Sequence, residues 1–337
     1  MGGTEIRLLS LNDQQLWTGF LDSCKGGIFQ TFEWAKVLSY SSSVKPAVAA
    51  VFDKEELIAG CVVAMQSIRG FYPYPFVQLT SREGPLYLTK EGLIVLLRDL
   101  QRAFSHCMSL SFLFSDSCLR LSMDECGYQS EQQCTFRLDL EKPLVELWEK
   151  LEKRTRYSIR KARKNGIKIE VSSSGPTIQE YLRLHKETCE RAFLTPNLSL
   201  LSGIWDILAK SGKAQLFMAK CDELPVAGVM CLLYKDKIWY FSAASSTRLE
   251  RMNAPTLLLW DIIEWAHNHE IRSLDLCGAL CSPDRSSPQY GPYLFKRGFG
   301  GELVRACEFR KVLHGWVQAL WLKLLVPGRL RLRRIRV

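Results

Sequence analysis

The chain has 337 residues, 47% of them hydrophobic, and a formal net charge of +10 at pH 7. This length and apolar content suffice for one large or two ordinary domains with complete cores, which argues against a disordered chain. The basic excess favours anionic partners such as RNA, a phosphate-bearing substrate or an acidic membrane surface, without choosing among them.

The twelve cysteines and five histidines do not form the pattern of a metal site. No Cys-x-x-Cys pair occurs, and His267 and His269 lie two positions apart in a helical pattern, which points them in different directions. We therefore predict no metal. Residues 1–15 lack the apolar core of a signal peptide, so we expect reduced thiols and a cytoplasmic protein.

The predicted elements alternate between helices and strands along the chain. In the first half, Thr31 can cap a helix that begins near Phe32, because its hydroxyl can accept a hydrogen bond from a free backbone N–H. Apolar periodicity predicts the remaining elements. They are a helix over 93–104, a strand over 135–140, helices over 180–193 and 205–210, strands within 215–240, and a helix over 257–268.

An internal repeat organises these elements. An acidic turn followed by Ala59-Gly60 and a β-branched apolar run is echoed, about half the chain later, by an acidic turn and Ala227-Gly228. Each copy is typical of a strand, a tight turn and a second strand. Two similar domains in tandem follow from this echo.

A strongly basic segment lies between the two copies. Leu144, Leu147, Trp148 and Leu151 recur at helical spacing, and eight basic residues crowd the positions from 153 to 168 before and after Asn165-Gly166. We interpret the segment as one helix. Its basic face either is solvated or contacts phosphate or RNA, and mutual repulsion disfavours the helix unless an anion offsets it.

A second segment combines aromatic, basic and glycine residues. Phe295 and Phe299 can anchor the stretch 293–301 in a core, leaving Lys296 or Arg297 directed at a ligand. The sequence Asp-Leu-Cys-Gly at 275–278 precedes it through a polar loop.

These segments resemble the FemABX-like peptidyltransferases. The stretch Arg-Lys-Ala-Arg-Lys-Asn-Gly at 160–166 resembles the family's Arg-Lys-Ala-x-Lys-x-Gly signature, and residues 295–300 resemble its Phe-Lys-x-x-Phe-Gly segment. Residues 275–278 resemble its Asp-aliphatic-Gly-Gly sequence, with Cys277 where a glycine is usual. The resemblance covers roughly residues 25–312.

The resemblance implies an α/β fold of two tandem GNAT-like acyltransferase domains, with mixed sheets flanked by helices. The expected division is a first domain over 1–143, a basic interdomain helix over 144–166, a second domain with the acyl-transfer site over 167–313, and a tail over 314–337. The implied reaction transfers an amino acid from aminoacyl-tRNA to an amine of a nucleotide- or lipid-linked peptidoglycan precursor peptide. It requires no cofactor.

Aminolysis of an ester needs a positive partner for the tetrahedral oxyanion, and the ammonium of Lys296 is the candidate. Asp275 is a candidate general base, although an acid at a strand end is often only a turn residue. Other residues are expected to bind the two substrates. They are Lys36, Arg191, Arg297 and Tyr240 as substrate-binding residues, and Arg160, Lys161, Arg163 and Lys164 for tRNA.

Two alternatives stay open from the sequence. One is a GNAT-fold N-acyltransferase with an acyl-CoA or acyl-carrier donor, although residues 248–254 lack the glycines that would offer backbone N–H groups to a pyrophosphate. The other is a non-catalytic RNA- or membrane-binding module.

The C-terminal residues 315–337 carry an apolar stripe that includes Trp316 and Val317, followed by five arginines after Pro327-Gly328. The stripe is too short and polar to span a bilayer. We expect it either to lie as an interfacial helix on the anionic inner face of the cell membrane or to pack on the first domain.

Overall fold

The computed structural model describes residues 5–67, 77–114, 120–246 and 252–317. The chain forms two compact units, one from Met1–Glu131 with Cys307–Val337 and the other from Gln132–Ala306. These bounds differ from the division expected from the sequence, because the basic segment lies inside the second unit and residues 307–312 belong to the first. The predicted fold class is confirmed, since each unit has a mixed sheet with helices.

The strands and helices alternate through both units. The first part of the chain contains β1 (Glu5–Leu9), α1 (Gln14–Ser23), α2 (Phe32–Leu38), β2 (Val44–Asp53), β3 (Glu56–Ser67), β4 (Val77–Arg82), β5 (Leu86–Tyr87), α3 (Lys90–Ala103), β6 (Ser109–Phe114) and α4 (Arg120–Glu125). The remainder contains β7 (Gln129–Asp139), α5 (Leu144–Lys150), α6 (Lys153–Lys164), β8 (Lys168–Ser172), α7 (Thr177–Arg191), α8 (Leu198–Gly203), β9 (Ala214–Cys221), β10 (Leu224–Tyr234), β11 (Lys237–Ser245), α9 (Ala254–Asn268), β12 (Ser273–Asp275), α10 (Tyr290–Arg297) and β13 (Glu302–Val312).

The two units repeat one strand order. In the first unit the order is β1-β2-β3-β4-β6-β13, and in the second it is β8-β9-β10-β11-β12-β7. The pairs β4/β6 and β11/β12 are parallel, and the other pairs that are described are antiparallel. The sixth strand of the first sheet, β13, follows the second unit in sequence, which explains why the first unit consists of two separate parts of the chain.

The repeated Ala-Gly pairs occupy equivalent strands, β3 and β10. A Cβ atom added at Gly60 would lie 2.7 Å from the Trp17 ring of α1, and one added at Gly228 would lie 2.8 Å from the Tyr181 ring of α7. Both glycines therefore make room for an aromatic side chain from a helix of their own unit. The duplication predicted from the sequence is confirmed at the level of these contacts.

The basic segment is two helices rather than the single one predicted. The chain is extended at Leu151 and Glu152, with ψ angles of 140° and 146°. The Glu152 N–H bonds to the Gly298 carbonyl at 2.9 Å, and the Arg156 guanidinium donates to the carbonyls of Glu149 and Leu151 at the end of α5. These bonds replace the helical bonds that continuing α5 would have formed.

Helix α6 packs on α9 within the core of the second unit. Thr155, Ile159 and Ala162 form its buried face, and its exposed Arg163 forms ion pairs with Glu264 at 3.0 Å and Asp261 at 3.7 Å. Burial, followed by the Glu264 carboxylate, raises the pKa of Asp261 to about 6, against the opposing effect of Arg163. Part of the repulsion among the basic residues is therefore offset within the unit itself.

The expectation that all thiols are reduced is wrong for one pair. Cys134 of β7 and Cys281, in the loop after β12, form a disulfide. The pair lies 147 positions apart in sequence, so no local spacing could have indicated it. The free cysteines among the described residues are all buried or half-buried.

The close approach at Gly60 predicts a selective loss of stability. We expect Gly60→Ala to lower the free energy of unfolding by about 1–3 kcal/mol, because the new methyl group would lie 2.7 Å from the Ala49 carbonyl oxygen as well as from Trp17. Gly19→Ala is the control, since that exposed glycine of α1 has nothing within 4 Å of an added Cβ and should gain up to about 1 kcal/mol. Urea unfolding measures both, and equal effects would contradict the packing argument.

The raised pKa of Asp261 predicts a pH-dependent stability. Because its pKa in the folded protein, about 6, lies above that of an ordinary aspartate, this group favours folding most at low pH, and that contribution is lost as the pH rises through 6. Asp261→Asn should therefore raise the free energy of unfolding at pH 8 by about 1 kcal/mol, less than the full shift because solvent screens the carboxyl. The difference should shrink towards pH 4.

Denaturant unfolding at the two pH values tests this sign. The control is Asp206→Asn, since Asp206 is exposed and forms no hydrogen bond or ion pair within the described ranges. A loss of stability at pH 8 in Asp261→Asn would mean that the attraction to Arg163 outweighs the cost of burial.

Candidate active site

Lys296 of α10 reaches back to the turn that follows β12. Its Nζ donates hydrogen bonds to the carbonyls of Cys277 and Gly278, the latter at 2.8 Å. Both residues of this turn have positive φ, 50° and 39°. Of the three N–H donors of an ammonium, two are thus occupied, and the third has no partner in the described part of the chain.

Desolvation lowers the pKa of Lys296, and the nearby Cys277 thiol and Asp275 carboxylate act in the opposite direction. Two carbonyl acceptors and a nearby carboxylate stabilise the positively charged form of this amine, although its surroundings are partly shielded from water. A cation in such surroundings interacts more strongly with developing negative charge than one in water.

Asp275, the other predicted catalytic residue, ends β12 and organises the same turn. Its Oδ1 accepts hydrogen bonds from the Thr135 hydroxyl at 2.5 Å and the Cys277 N–H at 2.8 Å, and its Oδ2 lies 3.7 Å from the Arg137 guanidinium. Oδ1 is therefore hydrogen-bonded twice, and Oδ2 faces a guanidinium. The arrangement favours a turn-holding role for Asp275, the alternative that a strand-end acid left open.

Two covalent or main-chain links fix the turn to β7. Ala279 forms an isolated bridge with Cys134, its N–H bonding to the Cys134 carbonyl at 2.6 Å, and Cys134 forms the disulfide with Cys281. The turn whose carbonyls hold Lys296 is therefore tied to β7.

Arg297, the next residue, is turned to a different partner. Its Nε lies 2.9 Å from the Glu152 carboxylate at the start of α6, and its guanidinium stands 6.0 Å from the Tyr293 ring centre. The side chain is half exposed, so it retains access to solvent. Its predicted contact with substrate stays a prediction.

A small pocket of about 80 Å³ opens between β10, β11 and the start of α9. Small side chains make the space, and the ladder between these strands shifts register next to Met230 and Cys231. The residues that line it include Ala227, Val229, Tyr240, Ala243, Ser245 and Pro255. Tyr240, predicted to bind substrate, is one wall of this pocket.

Arg191 lies beside the same pocket. It ends α7 and donates to the Ser245 carbonyl and hydroxyl, both at 3.2 Å, while Thr188 one turn earlier bonds to the Ser245 N–H. Tyr240 and Arg191 are thus brought to one pocket of the second unit. Lys36 is exposed on α2 of the first unit, and its predicted diphosphate contact stays a prediction.

The four residues predicted to bind tRNA divide into two kinds. Arg163 is paired with Glu264, and the Arg160 guanidinium stands 5.5 Å from the Trp148 ring centre. Lys161 and Lys164 are exposed and have no hydrogen bond or ion pair within the residues described. Only the two lysines keep their whole charge available to a phosphate.

Sequence reasoning missed the residues that support the turn. Thr135 and Arg137 come from β7, and Glu152, which pairs with Arg297, comes from the break between α5 and α6. Thr135 and Arg137 alternate with apolar residues along a strand, and that pattern indicates only that they are half-buried. The one available signal was Glu152, an isolated acid at the start of a basic run.

Comparisons with known proteins agree with this architecture. Residues 149–297 match the model of the Acetyltransferase (GNAT) domain, which confirms the predicted acyltransferase domain. Proteins named Lipid II:glycine glycyltransferase from Staphylococcus haemolyticus and Staphylococcus epidermidis are 22% and 23% identical to the chain, each match covering 55% of this chain and 59% of the relative. The chain therefore spans about three fifths of the length of the curated relatives it matches.

Solved structures show the same fold over nearly the whole chain. FemX superposes with a TM-score of 0.75 at 18% identity, covering 95% of this chain and 99% of FemX. A tandem GNAT protein from the clavulanic acid biosynthesis pathway superposes with a TM-score of 0.61 at 11% identity, covering 92% of this chain and 99% of that one. The resemblance to FemABX-like proteins that the motifs predicted is confirmed by the similarity to the glycyltransferases and by the shared fold with FemX and the tandem GNAT protein.

Proposed function

We propose that this protein is an aminoacyltransferase that moves an amino acid from aminoacyl-tRNA to an amine on the peptide of a lipid-linked peptidoglycan precursor. The observation that carries the proposal is the Lys296 amine, held by two carbonyls with one N–H left over. The names of the glycyltransferase relatives support the acceptor. The family signature on α6 and its free lysines support the tRNA donor.

The reaction forms a C–N bond between the acceptor amine and the ester carbonyl carbon, and breaks the C–O bond to the ribose. Negative charge collects on the carbonyl oxygen of the tetrahedral intermediate, where the free N–H of Lys296 would stabilise it. The surplus proton of the amine passes to the leaving ribose oxygen. Asp275 is not assigned this transfer because its Oδ1 already accepts hydrogen bonds from Thr135 and Cys277 and its Oδ2 faces the Arg137 guanidinium.

The small pocket beside Tyr240 suits the transferred group. Its volume of about 80 Å³ and the small side chains of Ala227, Ala243 and Ala244 in its lining favour a small transferred group such as glycine, alanine or serine. The pocket also supports the second candidate, an N-acyltransferase with a short acyl thioester donor, and the donor assay below separates the two.

Lys296→Met should lower kcat by about two to three orders of magnitude with little change in KM, because the substitution removes an interaction made only in the transition state. Lys296→Arg should not restore the rate, since its planar fork places charge differently. The matched control is Lys237→Met, which changes an exposed lysine of the same unit that has no partner in the described residues. Melting curves of all three show whether each variant is folded.

The assay incubates the full chain with lipid II and tRNA charged with labelled glycine, alanine or serine, and separately with acetyl-CoA. Transfer from charged tRNA and none from acetyl-CoA is the expected result. Transfer from acetyl-CoA alone would establish the second candidate. A folded Lys296→Met variant with an undiminished kcat would remove Lys296 from the reaction.

Residues 315–337 are proposed to contact an anionic membrane surface, where a lipid-linked acceptor would be found. Residues 318–337 lie outside the described residues. Of the apolar stripe, Trp316 is 70% exposed whereas Val317 is buried, so Val317 does not belong to an interfacial surface. No helix in the described residues is long and apolar enough to cross a bilayer.

Removal of residues 318–337, which keeps the buried Val317, should release the protein from vesicles rich in phosphatidylglycerol. Five arginines at about 1 kcal/mol each would dominate at low salt and fade as salt rises. Flotation across a salt series measures the effect, and circular dichroism checks that the shortened chain remains folded. Equal flotation of the two forms, or early melting of the shortened one, would contradict the membrane contact.

A further inference from the structure

Helix α6 presents one aromatic ring to solvent. Tyr157 is 65% exposed and forms no hydrogen bond or ring contact within the described part of the chain. At 100° per residue it points away from the buried face formed by Thr155, Ile159 and Ala162. Burial and hydrogen bonding, the usual reasons for a tyrosine on a helix, do not account for this side chain.

The neighbours of Tyr157 on the helix surface are all basic. Lys153 and Arg154 lie four and three positions before it, and Arg160 and Lys161 lie three and four positions after it. Helix α6 contains no acidic residue. The ring is therefore surrounded by positive charge along the helix in both directions.

Four of these exposed residues form a continuous row, the Tyr157 stripe. It consists of Arg154, Tyr157, Lys161 and Lys164, at helical spacings of three, four and three. None of its three cations has a hydrogen bond or ion pair within the described residues, in contrast to Arg156, which is bonded to carbonyls of α5. The row extends over about 15 Å.

We propose that the Tyr157 stripe binds single-stranded nucleic acid, with an unpaired base stacked on the Tyr157 ring and the flanking phosphates contacted by Arg154, Lys161 and Lys164. A bare aromatic ring among basic side chains has the composition of a sequence-tolerant stacking platform. Identification of the nucleic acid as the 3′ end of charged tRNA rests on the proposed function. The stacking itself does not.

The composition of the exposed face argues against a membrane as the occupant. An interfacial helix needs a row of large apolar side chains to bury among lipids. On α6 the apolar residues Ile159 and Ala162 are fully buried within the unit, and the exposed half carries Tyr157 as its sole large side chain without a formal charge. A lipid surface in contact with this face would meet charged side chains and almost no apolar surface.

Fluorescence anisotropy on the full chain tests the stacking. The probes are a labelled, unstructured 12-nucleotide RNA and a blunt RNA hairpin whose loop is a non-nucleotide linker, so that all of its bases are paired. Tyr157→Ala should weaken binding of the unstructured RNA by about 5- to 150-fold, the range expected for one stacked base. Tyr157→Phe should stay within about twofold of the natural protein because it keeps the ring. The hairpin should bind equally to all of them.

Salt dependence separates the ring from the charges. Tyr157→Ala should leave the slope of log K against log salt unchanged, whereas Lys161→Gln with Lys164→Gln should lower it by about 1.4, at about 0.7 for each lost phosphate contact on a single strand. Phe193→Ala is the control, since Phe193 is an exposed aromatic residue outside α6. This variant should bind RNA like the natural protein. Melting curves should not move for Tyr157→Ala.

The outcomes distinguish this inference from the proposed function. Unchanged RNA affinity in Tyr157→Ala, or no binding of the unstructured RNA by the natural protein, overturns the inference even if amino acids are transferred from tRNA. Loss of binding to anionic vesicles in Tyr157→Ala with RNA binding intact would identify the stripe as a membrane contact and also overturn it. Ring-dependent RNA binding without any transfer would support the stripe and refute the proposed function.

Discussion

A single amine joins the two segments that make the candidate site. Lys296 comes from α10 and its acceptors, the Cys277 and Gly278 carbonyls, come from the turn after β12. Without the lysine, two carbonyls of a left-handed turn would lose their donor, and without the turn a half-buried ammonium would lose its acceptors. The positive φ angles of the turn, the links from Asp275 and Ala279 to β7, and the position of α10 all serve this one contact.

Helix α6 shows how a highly basic helix is kept stable. Arg156 bonds to the carbonyls that end α5, Arg163 pairs with Glu264, and Arg160 stands over Trp148. These partners are all local or within the second unit, so the helix needs no external anion to form. The remaining cations are Lys153 and the three of the Tyr157 stripe. Charges that have partners contribute to the fold, and charges that lack them are the ones available for binding.

The sequence predicted the parts of this protein that depend on local pattern. The Thr31 cap is present, with its hydroxyl accepting from the Trp34 N–H, and the Ala-Gly echo marks equivalent strands because close packing against a ring requires glycine at that point. The break at Leu151 was not predictable, since apolar periodicity continues through it and the Glu152 N–H finds its acceptor at Gly298.

The same limit applies to the site. Lys296 was predicted as a candidate site residue because a basic residue between two aromatic anchors and glycines is a local signature. Its position near Asp275 agrees with the order of the two motifs in the sequence. The partners of Asp275 were not predicted from the sequence, because Thr135 lies 140 positions away from it. The disulfide between Cys134 and Cys281 was not predicted for the same reason, because its two cysteines lie 147 positions apart. Pairing between distant strands leaves no spacing rule in the sequence.

The two units differ at the place where the second unit has its pocket. In the first unit the buried Gln30 side chain accepts from the Val62 N–H of β3 and donates to the Arg82 carbonyl at the end of β4, so it fills the space between these strands. In the second unit the equivalent strands, β10 and β11, remain paired through a register shift and border the pocket beside Tyr240. A fully hydrogen-bonded buried amide is costly to displace, since each buried donor or acceptor left without a partner costs about 1–3 kcal/mol. Gln30 therefore occupies in the first unit the place that the pocket holds in the second, which is also the unit that contains Lys296.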